Sequence, residues 1–477
     1  MSKKIVIMSF LVTILVIFSS SSYQRYTSAS LSVVPAAITP IQHIVIIMQE
    51  NHGFDNMFGT FPGLPSAFAE NLNTCMPVNP PAATPCIKPW NADSKQSLIQ
   101  GRDIPHTRSA ALKAYNNGAM NGFVKAMPSS AKNYTMAYYN GNVLPYYWDY
   151  ASYFTFNYNF FSSSMSYSLP NHLFAVAAQA GQYASACLTV CETEYNLTFP
   201  QIGQSLTSAG IPWGYYQENW NDAINCPSTP YTRAFINAHG HTGGGFDGLW
   251  SGLTDFTQVQ MNSIECKSLG NLKDLQNAIT NNNLPAVSWV EPQPSSSDHP
   301  GQSTWIAGQE YVASLINLIE HSSAWSSTVI YLTEDDWGGY YDGVVPTHLD
   351  SAGDGFRVPL IAISPYATGG MTQGPSQDDF SAFLSTIEYN WGLSSLTARD
   401  ASESNLFYML NFNQTPLKPL VLASSGVTYP LSSCSAPACT YNAVNIPFNS
   451  SVYVPNTVIN ESVSQALAYS GNADPGD

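Results

Sequence analysis

The sequence predicts an α/β protein built on a mainly parallel sheet, and two observations carry that expectation. Two short apolar runs rich in β-branched residues, Ile44 to Met48 and Val329 to Leu332, fit strands buried on both faces. Further strand-like runs alternate with stretches of helical period along most of the chain, the pattern of a parallel sheet with crossover helices. At 477 residues the chain can bury one large core or two smaller ones. Charged residues make up only 10% of it, well below the usual share of about a quarter. The aromatic content of 13%, with 28 Tyr and 10 Trp, assigns that low charge to a well-packed globular protein rather than to disorder. The net charge of −16 comes with no basic stripe interleaved with aromatics, so nucleic acid is not an expected partner.

Residues 1–29 stand apart. Lys3 and Lys4 precede an apolar run from Ile5 to Phe18, and a Ser-rich stretch ends near Ala29, the layout of a secretory signal peptide. The run of ~14 residues falls short of the ~20 that a membrane span usually needs, so an uncleaved anchor is the lesser reading. A main domain is expected over 30–419. From about Leu420 to the end, 420–477, short Ser-, Pro- and Asn-rich runs form a C-terminal extension, either β-like or the edge of the same domain.

Within the main domain, the strand ending at Met48 breaks into the polar cluster Gln49, Glu50, Asn51. Leu64 to Pro105, rich in Pro and Asn, reads as an excursion over the surface. Arg108 to Met127 has helical spacing, loosened by Gly118 and Gly122. Val143 to Ser168 is dense in Tyr, Phe and Ser. Pro170 to Ala180 reads as a helix entered through proline and stopped by Gly181. Ile202 to Ala209 is a short helix, Ile211 to Gln217 a strand, and Asn237 to Gly252, with His239 and His241, a loop. Leu269 to Thr280 and Ile306 to Glu320 are helices flanking a strand at Leu284 to Val290. Val329 to Leu332 ends in Glu334, Asp335 and Asp336; a strand at Val358 to Ile363 and a helix at Asp379 to Trp391 follow.

Export agrees with the cysteines. All eight lie after the signal, and an even set in an exported chain reads as disulfides. Close pairs suggest Cys75 with Cys86, Cys187 with Cys191 and Cys434 with Cys439, leaving Cys226 with Cys266. Asn-x-Ser/Thr triplets at Asn133, Asn196, Asn413, Asn449 and Asn460 fit a glycosylated surface.

Chemistry gathers where the two buried strands end. In a parallel sheet Glu50 and Asn51 would share a rim with Asp335 and Asp336, and carboxylates so clustered are relieved by a cation. Oxygen donors favour Ca²⁺, Mg²⁺ or Mn²⁺ over Zn²⁺. The competing reading is that Asp335 and Asp336 merely cap a turn before Gly338 and Gly339.

Several segments in order carry a family resemblance. Glu50-Asn51-His-Gly-Phe-Asp55-Asn-Met-Phe-Gly59-Thr resembles E-N-x-S-F-D-x-x-F-G-T. Asp103-Ile-Pro-His106 with Tyr115-Asn-Asn-Gly-Ala-Met-Asn-Gly-Phe123 resembles D-x-x-H followed by Y-N-x-G-x-M-D-G-F. Ser168-Leu-Pro-Asn-His172 resembles T/S-x-P-N-R, and Ser297-Asp-His-Pro300 matches S-D-H-P. Asp335-Asp336-Trp-Gly-Gly-Tyr-Tyr-Asp342 resembles D-E-x-G-G-F-Y-D; Gly355 to Pro359 matches G-x-R-V-P, and Ile363 to Tyr366 matches I-S-P-Y. Together they are similar to the phosphoesterase family of bacterial and archaeal phospholipases C and acid phosphatases. Departures are Asp336 for Glu, His172 for Arg, Asn121 for Asp, and Gly343 where many members carry His.

The resemblance implies an alkaline-phosphatase-like three-layer sandwich, helices covering both faces of the sheet. It implies a divalent metal on Glu50, Asn51, Asp335 and Asp336, and Ser168 as nucleophile. Ahead of a helix, Ser168 would also meet the N–H groups that attract phosphate; without the resemblance it reads as an N-cap. His106 and His299 are candidate proton donors, and Asp298 would orient His299 or join the metal. Asn171 and His172 are candidate substrate ligands. Phe54 and Phe58 are expected to pack the first loop down, with Asp55 bracing it. The first reading is a secreted phosphatase of the acid type acting on phosphate monoesters through a phosphoserine. Its alternatives are a phospholipase C that cleaves lipid headgroup diesters in transient contact with a lipid surface, and a non-catalytic surface glycoprotein. Oligomeric state is not legible.

Few bases also mean little build-up of positive charge when carboxylates protonate, which suits an acidic exterior. The chain is expected to keep its fold and activity after incubation at about pH 3, read by circular dichroism and residual hydrolysis; loss of both there contradicts the adaptation.

Overall fold

The computed structural model describes residues 35–65, 70–93, 103–184, 196–218, 250, 252–347 and 350–422. Its centre is an eight-stranded sheet: β1 (His43–Gln49), β2 (Thr155–Phe161), β3 (Trp213–Gln217), β4 (Leu269–Gly270), β5 (Val287–Glu291), β6 (Thr328–Glu334), β7 (Arg357–Ile363) and β8 (Gly370–Thr372). The spatial order is β8-β2-β7-β6-β1-β5-β3-β4. β7 runs antiparallel to β6 and β2; the other pairings in this sheet are parallel. Every residue of β5, β6 and β7, and all of β1 after His43, is buried. Strands buried at consecutive positions are covered on both faces, so the sheet is the middle layer of an α/β sandwich.

The main helices are α1 (Phe54–Phe58), α2 (Arg108–Tyr115), α3 (Pro145–Tyr153), α4 (Ser168–Ala177), α5 (Ile202–Ala209), α6 (Leu272–Thr280), α7 (Trp305–Glu320) and α8 (Ser381–Trp391). Most expected elements occur, with shifted bounds. The helix expected to Met127 stops at Tyr115 because Asn116 turns left-handed (φ 45°) and its N–H closes on Leu112. The chain then folds back so tightly that a Cβ on Gly122 would lie 1.8 Å from the Lys113 carbonyl. Leu269 and Gly270 belong to a short strand rather than to the next helix, which begins behind Asn271 in a capping box with Asp274.

The stretch from Val143 to Ser168, to which the sequence assigned no element, holds both α3 and β2. β2 reads poorly because it lacks an apolar run: Asn157 is fully buried, its amide donating to the Tyr408 hydroxyl at 2.8 Å. α4 starts two residues before Pro170, placing Ser168 in its first turn, and ends at left-handed Ala178 before Gly181 is reached.

The surface excursion is a hairpin, Met76–Asn79 against Ala82–Ile87, closed by the Cys75–Cys86 disulfide. Cys266 is also disulfide-bonded. Cys226, its expected partner, the other two cysteine pairs, His239, His241 and the extension beyond Leu422 lie outside the described residues. Asn133, Asn196 and Asn413 are exposed. The last described segment docks on α7, where Asn317 exchanges hydrogen bonds with the backbone of Leu422 and Glu320 accepts from the Leu420 N–H at 2.9 Å.

Glu320 is buried there with its Oε2 unpartnered among the described residues, and burial pushes its pKa up to about 8. Burial similarly raises Glu388 to about 9. A carboxyl raised on folding favours the folded state fully below its unfolded pKa of about 4.3, and that advantage is lost as pH climbs toward the folded value. The melting temperature should therefore be higher at pH 4 than at pH 8. Glu320→Gln should narrow the gap by stabilising the protein at pH 8, on the order of 2 kcal/mol, while changing little at pH 4.

Candidate active site

β1 and β6 pair in parallel register from His43 opposite Thr328 to Gln49 opposite Glu334. The register carries one step past the strands: the Asp335 N–H donates to the Gln49 carbonyl at 2.9 Å, and the Asn51 N–H donates to Asp335 Oδ1 at 2.9 Å. Glu50, Asn51 and Asp335 are thereby brought together, all fully buried. Asn51 is left-handed (φ 65°), and the following turn of β6 presses on it so closely that a Cβ on Gly338 would sit 1.8 Å from the Asn51 carbonyl. The Glu50 N–H donates to Ser297 at 2.7 Å, fastening the Ser297-Asp-His-Pro300 loop to the same rim.

Ser168 arrives from the other side. β2 leads through residues 162–167 into α4, and Asn171 shapes that loop by accepting from the Ser164 N–H and donating to the Tyr167 carbonyl. Tyr167 caps α4 without a side-chain hydrogen bond, so the helix N-terminus faces the site with its first N–H groups uncapped by that side chain. The Ser168 hydroxyl donates to Glu50 Oε2 at 3.2 Å. His172, one turn on, places Nε2 2.9 Å from Glu50 Oε1 and 4.0 Å from Asp335 Oδ2.

These groups suit a cation. Donor atoms of Glu50, His172 and Asp335 all lie within 4.8 Å of one another. Burial and then the neighbouring Asp335 push the Glu50 pKa well up, against the opposing pull of His172. Burial by itself would lower His172, but Glu291 and Glu50 hold it well above the usual histidine range. The Asn51 amide can lie two ways. With its oxygen toward Ser168 and Asp335, that oxygen accepts from the Ser168 hydroxyl at 3.3 Å and faces the Asp335 carboxylate. Turned over, Nδ2 donates to Asp335 Oδ1 at 3.0 Å and the oxygen accepts from His299 Nε2 at 2.7 Å.

A sequence model described as the Phosphoesterase family matches residues 41–394. The chain belongs to that family. It is by that membership a phosphoric ester hydrolase, which sets aside the non-catalytic reading. Among relatives, phospholipase C B of Mycobacterium tuberculosis is 27% identical over 437 residues, covering 80% of each chain. The non-hemolytic phospholipase C of Pseudomonas aeruginosa is 26% identical over 74% of this chain and 54% of its own. Among solved structures, an alkaline phosphatase superfamily protein from Vibrio parahaemolyticus aligns with TM-score 0.34 and 12% identity, over 78% of this chain and 72% of that one.

The candidate site gathers most, but not all, of the residues expected from sequence around the cradle. His299 adjoins Asn51, with Nδ1 donating to the Pro300 carbonyl at 3.0 Å and the ring stacked on Trp250. His106 lies behind it, ring centroids 6.5 Å apart, its Nδ1 donating to the Ile104 carbonyl. Asp298 turns its carboxylate to Gln49 and Tyr147, while the Asp298 carbonyl accepts from His52. Asp336 accepts from the Gly338 N–H at 2.6 Å, the turn-capping role weighed against metal binding, and it is not among the converging donors. Asp55 braces its loop as expected: Arg357, stacked 4.3 Å over Phe54, joins Asp55 to Asp342. Glu291 and Tyr215, missed from sequence, sit behind His172. Their signal was faint, since Glu291 is simply the last residue of a buried strand.

Asp335→Asn should keep the fold yet weaken divalent-ion binding by at least about tenfold, read by calorimetric titration of the chelator-stripped protein. Unchanged affinity would remove Asp335 from the cradle.

Proposed function

We propose that this phosphoesterase is a secreted, metal-dependent hydrolase that transfers the phosphoryl group of its substrate to Ser168. The observation that carries the reading is the Ser168 hydroxyl at the mouth of α4, 3.2 Å from Glu50 Oε2 and 3.3 Å from the Asn51 amide. A nucleophile there needs a proton acceptor, and Glu50 Oε2 already takes its hydrogen bond. The uncapped N–H groups of α4 suit the phosphoryl oxygens. A divalent ion in the cradle supplies Lewis-acid polarisation and favours the ionised hydroxyl.

In the first step a bond forms from Ser168 Oγ to phosphorus and the phosphorus–oxygen ester bond breaks; the departing alkoxide takes a proton from the His299 side of the site. In the second, water attacks phosphorus and yields its proton to that imidazole, the phosphorus–Oγ bond breaks, and Glu50 returns the proton it took, restoring the Ser168 hydroxyl. Asn51 lies between the two chemical centres, touching both Ser168 and His299.

For the substrate, the relatives named phospholipase C cover most of this chain, which favours a lipid headgroup diester over the monoester that the sequence reading placed first. Vesicles of phosphatidylcholine and a chromogenic phosphate monoester, assayed side by side at equal enzyme, separate the two. Ser168→Ala should lower turnover of the preferred substrate by about 10³-fold or more while divalent-ion binding persists. Hydrolysis at the wild-type rate in that variant refutes the phosphoseryl route.

A further inference from the structure

His172 is the group in this site that an arginine could not imitate. A guanidinium is always protonated and offers no lone pair, whereas an imidazole can coordinate a metal. Its setting decides between a cation and a ligand. Nε2 points into the cradle, 2.9 Å from Glu50 Oε1 and 4.0 Å from Asp335 Oδ2. Atoms bound to one ion at about 2.1 Å stand no more than about 4.2 Å apart, and both separations fall inside that limit. The other ring nitrogen faces Glu291. Its Oε2, with no hydrogen-bond partner among the described residues, lies 3.5 Å from His172 Nδ1, a charge contact rather than a full hydrogen bond. Its Oε1 lies 3.2 Å from the Tyr215 hydroxyl, which shares its one proton with the Trp250 carbonyl at 2.9 Å and accepts from the Gly252 N–H at 2.9 Å. All three side chains are at least nine-tenths buried. Both ring nitrogens thus face carboxylates, the closer being Glu50 at Nε2; an ion taken up by Glu50 and Asp335 would displace the Nε2 proton, while Glu291, which can only accept, would keep the other proton on Nδ1.

We infer that His172, positioned by Glu291 and Tyr215, is a nitrogen ligand of the metal in this chain, and that the cradle therefore prefers a divalent transition ion to Ca²⁺ or Mg²⁺. This rests on the proposal that the site is a metal-dependent phosphoesterase centre. It also revises the expectation from sequence, which considered oxygen donors alone. Imidazole suits Zn²⁺ and the other late transition ions, while Mg²⁺, Ca²⁺ and Mn²⁺ favour oxygen; Mn²⁺ serves as a paramagnetic probe of whether a nitrogen joins them.

The test uses the full chain, stripped with chelator and reloaded with one equivalent of Mn²⁺, and reads pulsed electron paramagnetic resonance rather than activity. The wild type should show ¹⁴N coupling from a ligated imidazole. His172→Gln should abolish it, and Glu291→Gln, which leaves His172 in place, should shift it. In competition titrations His172→Gln should weaken Zn²⁺ about 10- to 100-fold and Mg²⁺ much less. Bound Mn²⁺ without ¹⁴N coupling in the wild type overturns the nitrogen ligand and leaves the phosphoesterase centre standing. Equal weakening of Zn²⁺ and Mg²⁺ likewise overturns the selectivity. Failure of the wild type to bind any of these ions overturns the metal centre itself.

Discussion

The parallel register of β1 on β6 is the constraint on which the site depends. Side chains in a strand alternate between faces, so a slip of one residue would send Glu50 and Asp335 to opposite sides of the sheet. Buried pairing from Ile44 to Gln49 prevents that slip, because each shift would also leave apolar side chains and backbone groups misplaced in the middle layer. The turn after β6 completes the lock. Gly338, left-handed at φ 59°, lets that turn rest on the Asn51 carbonyl, where any side chain would collide. The same rim receives the C-terminal ends of β2, β3 and β5, which explains how Ser168 and Glu291 reach one place from distant parts of the chain.

Electrostatics in this protein is a matter of where few cations are spent. Arg357, fully buried, holds Asp55 and Asp342 together and donates to the Tyr158 carbonyl. Arg399 gathers Asp350, Asp354 and Asp379 and reaches the Ser163 carbonyl, which steadies the loop before Ser168. Removing either guanidinium would strand several buried carboxylates, a far larger penalty than losing a surface pair. Around Glu50 and Asp335 no arginine serves this purpose among the described residues. His172 is the nearby base, and it too is flanked by acids. The cradle thus differs in kind from the structural clusters: it lacks a permanent cation of its own and suits one that comes and goes.

How much was readable in the sequence follows from the physics of each element. β1 and β6 were legible because both are pure apolar runs that stop at acids. In the same sheet β2 was not, since Asn157 and Tyr158 interrupt it and the buried Asn157 amide finds its acceptor in Tyr408, some 250 residues on. Ser168, Glu50, Asn51 and Asp335 were singled out through motif resemblance joined to strand ends, and the fold brings them together. Glu291 was beyond reach: nothing in Val287–Glu291 says that its last residue faces an imidazole of α4. His52 shows a related limit. Sequence alone does not reveal that it is wedged between Trp305 and Tyr340, with burial lowering its pKa to about 3, or that it tethers Asp298.

Asn51 links these strands of argument, because its amide must choose a direction. Oxygen inward, it adds a neutral donor atom for a cation beside Glu50 and Asp335, and its NH₂ faces His299. Oxygen outward, it accepts from His299 Nε2 and donates to Asp335 and Ser168. With Nδ1 bound to the Pro300 carbonyl, a neutral His299 has only an Nε2 lone pair to offer, which matches the inward oxygen; a protonated one matches the outward oxygen. In the proposed mechanism this one side chain lies between the cradle and His299, in contact with both. The left-handed backbone at Asn51, imposed by the turn of β6, is what holds the amide between the two.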